Sequence, residues 1–135
     1  MGTQKLFDEL VNVVAALRDP QSGCPWDLEQ THVSLAQYLE EETQETLEVL
    51  ESFEGTEPKY EELKEELGDV LLQVLLHAQL ATEDGRFSID EIITTLKDKL
   101  IRRHPHVFGE SDAKTIEDVM KQWEEIKKEE KRGKD

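Results

Sequence analysis

Cysteine is nearly absent from this sequence, and long apolar runs are absent altogether. Cys24 is the only cysteine, so no disulfide can form within the chain, and a reducing compartment is expected. No apolar stretch approaches the roughly 20 residues that a membrane-spanning helix needs. The N-terminal helical pattern carries Asp8 and Glu9, which do not fit the apolar core of a secretion signal. These absences predict a cytoplasmic protein without a membrane anchor or a targeting signal.

Positive charge is the scarcer sign. The chain has 16 Lys and Arg against 32 Asp and Glu, which gives a formal net charge of -16. This balance argues against a partner held by the phosphates of DNA or RNA. It would also repel a triphosphate, unless divalent cations lie between the carboxylates and the phosphates. The composition therefore predicts no nucleic-acid partner, and it favours metal for any polyphosphate ligand.

Apolar residues recur at helical spacing, and no segment has the alternation typical of a strand. Gly85 and Pro105 are expected to end the third and fourth helices. The sequence predicts an all-α domain of about five helices over residues 1–130, followed by a frayed polar tail at residues 131–135. A helical chain of this size buries only a modest core unless it pairs with another subunit. The predicted helices run from about Leu6 to Leu17, Thr31 to Phe53, Pro58 to Asp84, Ser88 to His104 and Thr115 to Glu130.

Two glutamates of the second predicted helix lie among apolar residues. Most glutamates in acid-rich helices face water. At about 100° per residue, however, Glu42 and Glu45 share a face with Leu35 and Leu39. Glu41 lies at the border of this apolar stripe. Both Glu42 and Glu45 are therefore predicted to face the interior.

The third predicted helix repeats this pattern. Asp69 shares a face with Leu72 and Leu76 and is expected to be shielded from water, and Glu66 stands one turn earlier. Gly68 costs about 1 kcal/mol in a helix interior, so it indicates either a close approach or simple packing. Buried unpaired carboxylates are costly and should be neutralised by protonation, basic partners or metal. Oxygen ligands without cysteine suit magnesium, manganese or calcium better than structural zinc.

The fourth and fifth predicted helices carry positive charge on their apolar faces. Arg103 falls within the arc that contains Leu96, and Lys99 lies on its edge. On the fifth helix, Trp123 is an inner residue and Lys127 lies one turn beyond it. Metal and bases together offset the charge on phosphoryl oxygens, so this pattern favours a polyphosphate substrate. Internal ion pairing of these bases with the acids is the alternative, and long basic side chains can also extend to solvent.

Three segments resemble the MazG family of nucleoside triphosphate pyrophosphohydrolases. Glu41, Glu42 and Glu45, followed by Glu66 and Asp69, are similar to the family signature EExxE…ExxD. The resemblance spans nearly all of residues 6–130. The two other segments that carry it are Cys24-Pro25-Trp26-Asp27 and Arg102-Arg103-His104-Pro105-His106-Val107-Phe108.

The resemblance implies a MazG-like helical bundle completed by dimerisation, with Mg2+ as cofactor and Mn2+ as a substitute. It implies hydrolysis of (deoxy)nucleoside triphosphates to nucleoside monophosphate and pyrophosphate, through attack of metal-activated water on the α-phosphorus. The implied metal ligands are Glu42, Glu45, Glu66 and Asp69. The implied catalytic pair is Glu41 and Glu42, with Glu41 as a further ligand or as the holder of the attacking water. The implied substrate-binding residues are Lys99 and Arg103 on the phosphates, with Trp123 and Lys127.

Other readings of these residues stay open. A relative that has lost catalysis would keep the acids and only bind nucleotide, and a helical interaction module would use them in salt bridges. A di-iron bundle normally needs Glu-x-x-His pairs on two of its helices, whereas the sequence has a single such spacing, from Glu29 to His32. A calcium-binding EF-hand needs its own loop, which the sequence lacks. Cys24 is interpreted as a packing residue and not as a nucleophile. Trp26 either stacks on a base or packs within the protein.

Overall fold

The computed structural model describes residues 2–134, and within that range it contains helices and connecting turns but no strand. The prediction of an all-α fold is thus confirmed. The helices are α1 (Gly2–Leu17), α2 (Pro25–Glu29), α3 (His32–Glu51), α4 (Tyr60–Glu83), α5 (Ile89–Arg103), α6 (Pro105–Phe108) and α7 (Ile116–Lys134), with a 3-10 turn at Ser52–Glu54.

Five of these helices are the predicted ones, displaced by a few residues at their ends. The two short helices α2 and α6 were not predicted, and each has proline at its start, where the missing N–H costs nothing. Pro105 therefore both ends α5 and begins α6. The expected frayed tail is wrong for residues 131–134, which continue α7 as helix. Asp135, the last residue of that predicted tail, lies outside the described residues.

The start of α3 is fixed by a reciprocal cap. The Ser34 backbone N–H donates to Thr31 Oγ1 at 3.0 Å, and the Thr31 N–H donates to Ser34 Oγ at 2.9 Å. Such a capping pair satisfies two N–H groups that have no partner inside the helix. It sets the first turn of α3 and hence the face on which Glu42 lies about three turns later. The last helical residue of α4 is Glu83, and Gly85 follows it with a φ of 70°, the left-handed conformation that glycine favours after a helix.

The described chain divides into two compact units, with the boundary between Ile89 and Asp90. The prediction of one domain over residues 1–130 stays a prediction. In the first unit, α4 packs against both α3 and α1. The buried cluster that holds these helices together consists of Val14, Leu35, Leu75 and Leu76.

The second unit has polar and aromatic contacts and no buried apolar core among its described residues. None of the described residues of α5, α6 or α7 is buried, and Leu96 of the predicted apolar arc is 51% exposed. Gln122 of α7 instead hydrogen-bonds His106 Nδ1 at 3.0 Å, and it accepts from the Ser111 hydroxyl at 2.5 Å.

Apolar side chains also remain exposed on the first unit. Leu67, Leu71 and Val74 of α4 follow one another at helical spacing and are 53%, 38% and 37% exposed. Exposed apolar surface of this kind is not a membrane span, since no helix within residues 2–134 is both long and apolar enough to cross a bilayer. Dimerisation, which would cover such a stripe, stays a prediction.

Candidate metal site and guanidinium cluster

Three carboxylates of the first unit converge where α3 and α4 pack. Glu42 and Glu45 come from α3 and Glu66 from α4, and one carboxylate oxygen of each lies within 4.8 Å of the others. Glu42 and Glu45 are three residues apart and therefore lie on one helix face, as the sequence predicted. We call Glu42, Glu45 and Glu66 the acid cluster. Neither Asp69 nor Glu41 belongs to that set of mutually close oxygens.

Burial distinguishes the members of the predicted ligand set. Glu42 and Glu66 are half-buried, whereas Glu45 and Asp69 are exposed. The expectations that Asp69 is shielded from water and that Glu45 faces the interior are therefore wrong for the single chain. The reason is that α1 and α3 cover only part of α4, so Asp69 is exposed together with the neighbouring Leu67.

The half-buried carboxylates resist ionisation. Burial raises the pKa of Glu42, and the nearby charges of Asp69, Glu45 and Glu66 raise it further. Burial also raises the pKa of Glu66, followed by the charges of Glu45 and Asp69. Asp69 thus contributes to the negative field of the acid cluster, although its carboxylate lies outside the closest set.

Two oxygens of the acid cluster are buried and without a hydrogen-bond partner in residues 2–134, Glu42 Oε2 and Glu66 Oε2. A buried acceptor without a partner is costly, and a bound cation would satisfy both oxygens while offsetting the repulsion between the carboxylates. The donors are all carboxylate oxygens, which hard cations prefer. The acid cluster therefore fits a hard divalent cation better than zinc.

Gly68 and Glu41 are the other sequence candidates near these acids. A Cβ built on Gly68 would meet nothing within 4 Å, so no close approach or packing contact among residues 2–134 requires glycine there. Glu41 is exposed on α3. Its side chain is therefore accessible to water, which is compatible with either of its predicted roles.

In the second unit, Arg103 of α5 is held between two residues of α7. Its guanidinium carbon lies 5.3 Å from the centre of the Trp123 ring, within cation–π range. Its Nη2 donates to Glu130 Oε1 at 2.8 Å, and its Nε donates to Glu130 Oε2 at 3.4 Å. Arg102 Nε donates to the same Oε2 at 2.6 Å. We call Arg102, Arg103, Trp123 and Glu130 the guanidinium cluster.

Glu130 was missed by the sequence reading, although a signal existed. It stands seven residues after Trp123, on the same face of α7, opposite the basic end of α5. Hydrogen bonds from Arg103 and then Arg102 lower the pKa of Glu130 to about 2. The internal ion pairing that the sequence left open thus exists for Arg103. The partner is an acid of α7.

The other two predicted substrate-binding residues lie at the edge of this unit. Lys99 is half-buried on α5, one turn before Arg103. Lys127 is exposed and lies 3.8 Å from the Glu124 carboxylate, a contact within α7. The Trp123 ring also meets the His104 ring edge-on, at 5.2 Å between centres. Of the four predicted residues, the structure brings Arg103 and Trp123 into contact.

The Cys24-Pro25-Trp26-Asp27 segment is anchored to α1 and α4. Arg18 donates through Nη1 to the backbone oxygen of Asp27, and through Nε and Nη2 to the Glu83 carboxylate at 2.8 Å each. Trp26 packs edge-on against Tyr38, with ring centres 5.1 Å apart, and is 43% exposed. Tyr38 lies one turn before Glu42 on α3. Trp26 therefore has a packing role, and it also leaves an aromatic surface open.

A second contact that the sequence did not predict joins α3 to α4. The Nδ1 atoms of His32 and His77 lie 2.7 Å apart, and their ring centres are 5.0 Å apart with an interplanar angle of 11°. The centre separation equals the nitrogen separation plus two ring radii, so the rings lie edge to edge in nearly one plane. The pair is therefore an in-plane Nδ1 hydrogen bond and not a face-to-face stack.

Comparison with known proteins agrees with the carboxylate pattern. A family model described as the MazG nucleotide pyrophosphohydrolase domain matches residues 30–108. The chain is similar to the nucleoside triphosphate pyrophosphohydrolase/pyrophosphatase MazG of Thermotoga maritima, at 52% identity over 126 residues that cover 93% of this chain and 46% of that protein. It is similar to the nucleoside triphosphate pyrophosphohydrolase of Escherichia coli K12, at 45% identity over 125 residues that cover 93% and 46%. The chain thus spans less than half the length of these two relatives.

The fold has a solved counterpart as well. The crystal structure of a MazG-related protein from Thermotoga maritima matches with a TM-score of 0.69 and 28% identity, covering 90% of this chain and 98% of that one. The segment matched by the family model is more than half of this chain, and it contains the whole acid cluster together with Asp69 and Arg103. On the combined evidence of sequence, fold and carboxylate geometry, this chain belongs to the MazG nucleotide pyrophosphohydrolase domain family.

Proposed function

We propose that this chain hydrolyses (deoxy)nucleoside triphosphates to nucleoside monophosphate and pyrophosphate, with Mg2+ or Mn2+ as cofactor. The observation that carries the proposal is the acid cluster, in which one carboxylate oxygen of each residue lies within 4.8 Å of the others and in which Glu42 Oε2 and Glu66 Oε2 are buried without a hydrogen-bond partner among residues 2–134. The names of the two sequence relatives describe the same reaction class. A strongly acidic protein binds a polyphosphate only when cations offset its charge, which the acid cluster would allow.

Glu42, Glu45 and Glu66 are the proposed primary ligands. Asp69 stands one turn after Glu66 on α4, and its exposed side chain is free to rotate toward the same cation as a fourth ligand. A bound Mg2+ would supply positive charge that lowers the pKa of water and offsets charge on the phosphoryl oxygens. Glu41 is proposed as a further ligand or as the group that holds the attacking water.

The guanidinium cluster is the proposed phosphate-binding part of the second unit. Arg103 presents a planar set of N–H donors that suits phosphate oxygens, and Lys99 and Lys127 would add positive charge. Trp123 would support the Arg103 guanidinium on its ring face. Attack at the α-phosphorus would then release pyrophosphate as the leaving group.

We also propose that the protein is a homodimer. Leu67, Leu71 and Val74 form an exposed apolar stripe on α4, and apolar stripes of this spacing are typically covered by another helix. A second copy of the chain is the proposed cover.

Product analysis with a panel of (deoxy)nucleoside triphosphates, with Mg2+ and with EDTA, tests the reaction. We expect monophosphate and pyrophosphate with Mg2+, and no turnover with EDTA. Diphosphate and orthophosphate as products would mean attack at the terminal phosphorus and would overturn the proposed mechanism. Asp69→Asn should reduce turnover to background, whereas Glu40→Gln, which removes an equal charge from an exposed position on α3, should not change it.

A catalytically silent nucleotide-binding or protein-interaction module is the second candidate. The specific observation in its favour is that Arg102 and Arg103 already pair with Glu130, as a purely structural role would require. This candidate predicts that neither Mg2+ nor EDTA changes any product, because none forms. Absence of turnover with every nucleotide in the same assay would favour it over the enzyme.

A further inference from the structure

The guanidinium of Arg103 is held in one orientation by the carboxylate of Glu130, a residue that the family resemblance did not assign to the site. We propose that Glu130 is a positioning residue, which fixes Arg103 so that the remaining N–H donors of its guanidinium are presented to a phosphate. This inference rests on the proposed function, because it assigns Arg103 to the triphosphate. It adds a residue of α7 whose effect on substrate is exerted through Arg103.

The donors of Arg103 are divided between two tasks. Nε and one N–H of Nη2 point to the two oxygens of Glu130. Trp123 covers the ring-facing side of the guanidinium plane at 5.3 Å. The hydrogen bonds of Arg103 within residues 2–134 come from Nε and Nη2, so Nη1 and the second N–H of Nη2 stay available on the adjacent edge. A guanidinium held through one edge presents the other edge, which is the geometry that a phosphate accepts in two hydrogen bonds.

The contact is well shielded for a surface pair. The Arg103 and Glu130 side chains are 16% and 18% exposed, whereas pairs such as Arg132–Glu129 are 74% and 72% exposed. Shielding strengthens a charge-assisted hydrogen bond, and exposure weakens it. Arg102 adds a third hydrogen bond to the same carboxylate at 2.6 Å. Glu130 is thus itself fixed from two sides and can hold Arg103 at a defined position.

Charge and orientation predict opposite effects when Glu130 is neutralised. The three side chains of Arg102, Arg103 and Glu130 carry a net positive charge, and Glu130→Gln would increase it. Charge alone therefore predicts tighter binding of a triphosphate. Loss of orientation predicts weaker binding and slower turnover, because a misplaced binding group loses much of its contribution. The sign of the effect separates a positioning residue from a simple counter-charge.

The experiment compares Glu130→Gln with Glu129→Gln, measuring kcat and KM for a nucleoside triphosphate in the presence of Mg2+. Glu129 is the matched control, since it lies on the same helix, carries the same charge and pairs with Arg132 at 3.0 Å. We expect Glu130→Gln to lower kcat/KM by about 10- to 100-fold. Glu129→Gln should leave kcat/KM within about twofold, because its ion pair is exposed. Glu130→Asp, which keeps the charge on a shorter side chain, should restore part of the loss.

An NMR measurement reports on Arg103 without turnover. In the wild-type protein the Arg103 Nε–H should exchange slowly with water, and Glu130→Gln should accelerate that exchange while Glu129→Gln does not.

Unchanged or improved kcat/KM in Glu130→Gln, with wild-type protein that is active, would overturn this inference alone. Wild-type protein that turns over no nucleotide would overturn the proposed function, and the role of Glu130 toward a phosphate with it. Should Glu130→Gln fail to fold, Glu130→Asp and the exchange rate of the wild-type Arg103 Nε–H decide the question. Full activity in Glu130→Asp, together with rapid exchange in the wild type, would then contradict the proposal.

Discussion

A single carboxylate, Glu42, shows how the acid cluster can oppose folding and still serve function. It is half-buried, one of its oxygens has no hydrogen-bond partner within the described residues, and three other acids surround it. Burial and like charges both disfavour the ionised form, and its pKa is raised accordingly. Residues that are unfavourable for stability in this way are frequent at functional sites, because the ligand supplies what the fold lacks.

At this scale we predict that Glu42→Gln stabilises the metal-free protein at pH 7. The substitution keeps the shape of the side chain while removing one charge from the repulsive group. The melting temperature without metal should therefore rise, whereas the increase that Mg2+ produces in the wild type should shrink. The dissociation constant for Mg2+ should increase by at least about tenfold.

Thermal unfolding and calorimetric titration with Mg2+ and Mn2+ measure these two effects. Glu40→Gln, at an exposed position on the same helix, should change neither. A lower melting temperature for metal-free Glu42→Gln, with Mg2+ affinity unchanged, would show that Glu42 is an ordinary stabilising side chain.

The acid cluster lies between the elements α3 and α4, and a contact between His32 and His77 joins the same two helices. An Nδ1–H···Nδ1 bond needs one donor and one acceptor, so at least one of the two imidazoles must be neutral. Burial lowers the pKa of His77, and the charge of His32 lowers it further. The contact therefore depends on pH, and it acts on the packing of the helices that carry the acid cluster.

The sign of this dependence follows from proton binding. The folded pKa of His77 lies below the unfolded value of about 6.5, so the unfolded state binds more protons as the pH falls. The contribution of His77 to stability is complete above that value, and it decreases as the pH is lowered toward the folded pKa. We predict that the melting temperature of the wild type falls between pH 7 and pH 5 more steeply than that of His77→Phe.

Circular dichroism melts at several pH values measure this difference, with the acid cluster unchanged in both proteins. His106→Phe in the second unit serves as the control and should keep the steeper wild-type dependence. Parallel curves for wild type and His77→Phe would show that the histidine pair does not couple protonation to folding.

Long elements could be predicted from the sequence, and short ones could not. α3 and α4 are 20 and 24 residues long, so their apolar periodicity extends over several turns and their ends carry cap and glycine signals. α2 and α6 have 5 and 4 residues, which is too few for a period to be visible. The predicted end of α7 was too early because its final residues are charged and were expected to fray. Basic residues near a helix C-terminus, however, also favour helix.

The candidate site followed the same logic. The sequence predicted that Glu42 shares a helix face with Leu35, because that relation depends only on helix geometry. Leu35 is indeed fully buried. The exposure of Asp69 could not be predicted from the sequence, because it depends on which neighbouring helices cover α4. Glu130 was missed because its role arises from a contact with Arg103, 27 residues earlier, and its spacing from Trp123 indicates only that the two share a face of α7.

For the whole molecule, the apolar stripe of Leu67, Leu71 and Val74 is the feature that a single chain leaves unexplained. Exposed apolar side chains at this spacing form one face of a helix. Burying that face against a partner helix would stabilise the complex by about 25 cal/mol for each Å² of apolar area removed from water. We predict that the protein sediments at twice the mass of one chain, and that Leu71→Lys, at the centre of the stripe, shifts it to the monomer. Leu96→Lys, which places the same charge on a leucine that is 51% exposed in the second unit, should leave the dimer intact.

Because the stripe lies on the helix that also carries Glu66 and Asp69, loss of the dimer should weaken Mg2+ binding. A wild-type monomer at concentrations of about 100 μM, well above a micromolar dissociation constant, would contradict the prediction and leave the stripe to a different partner.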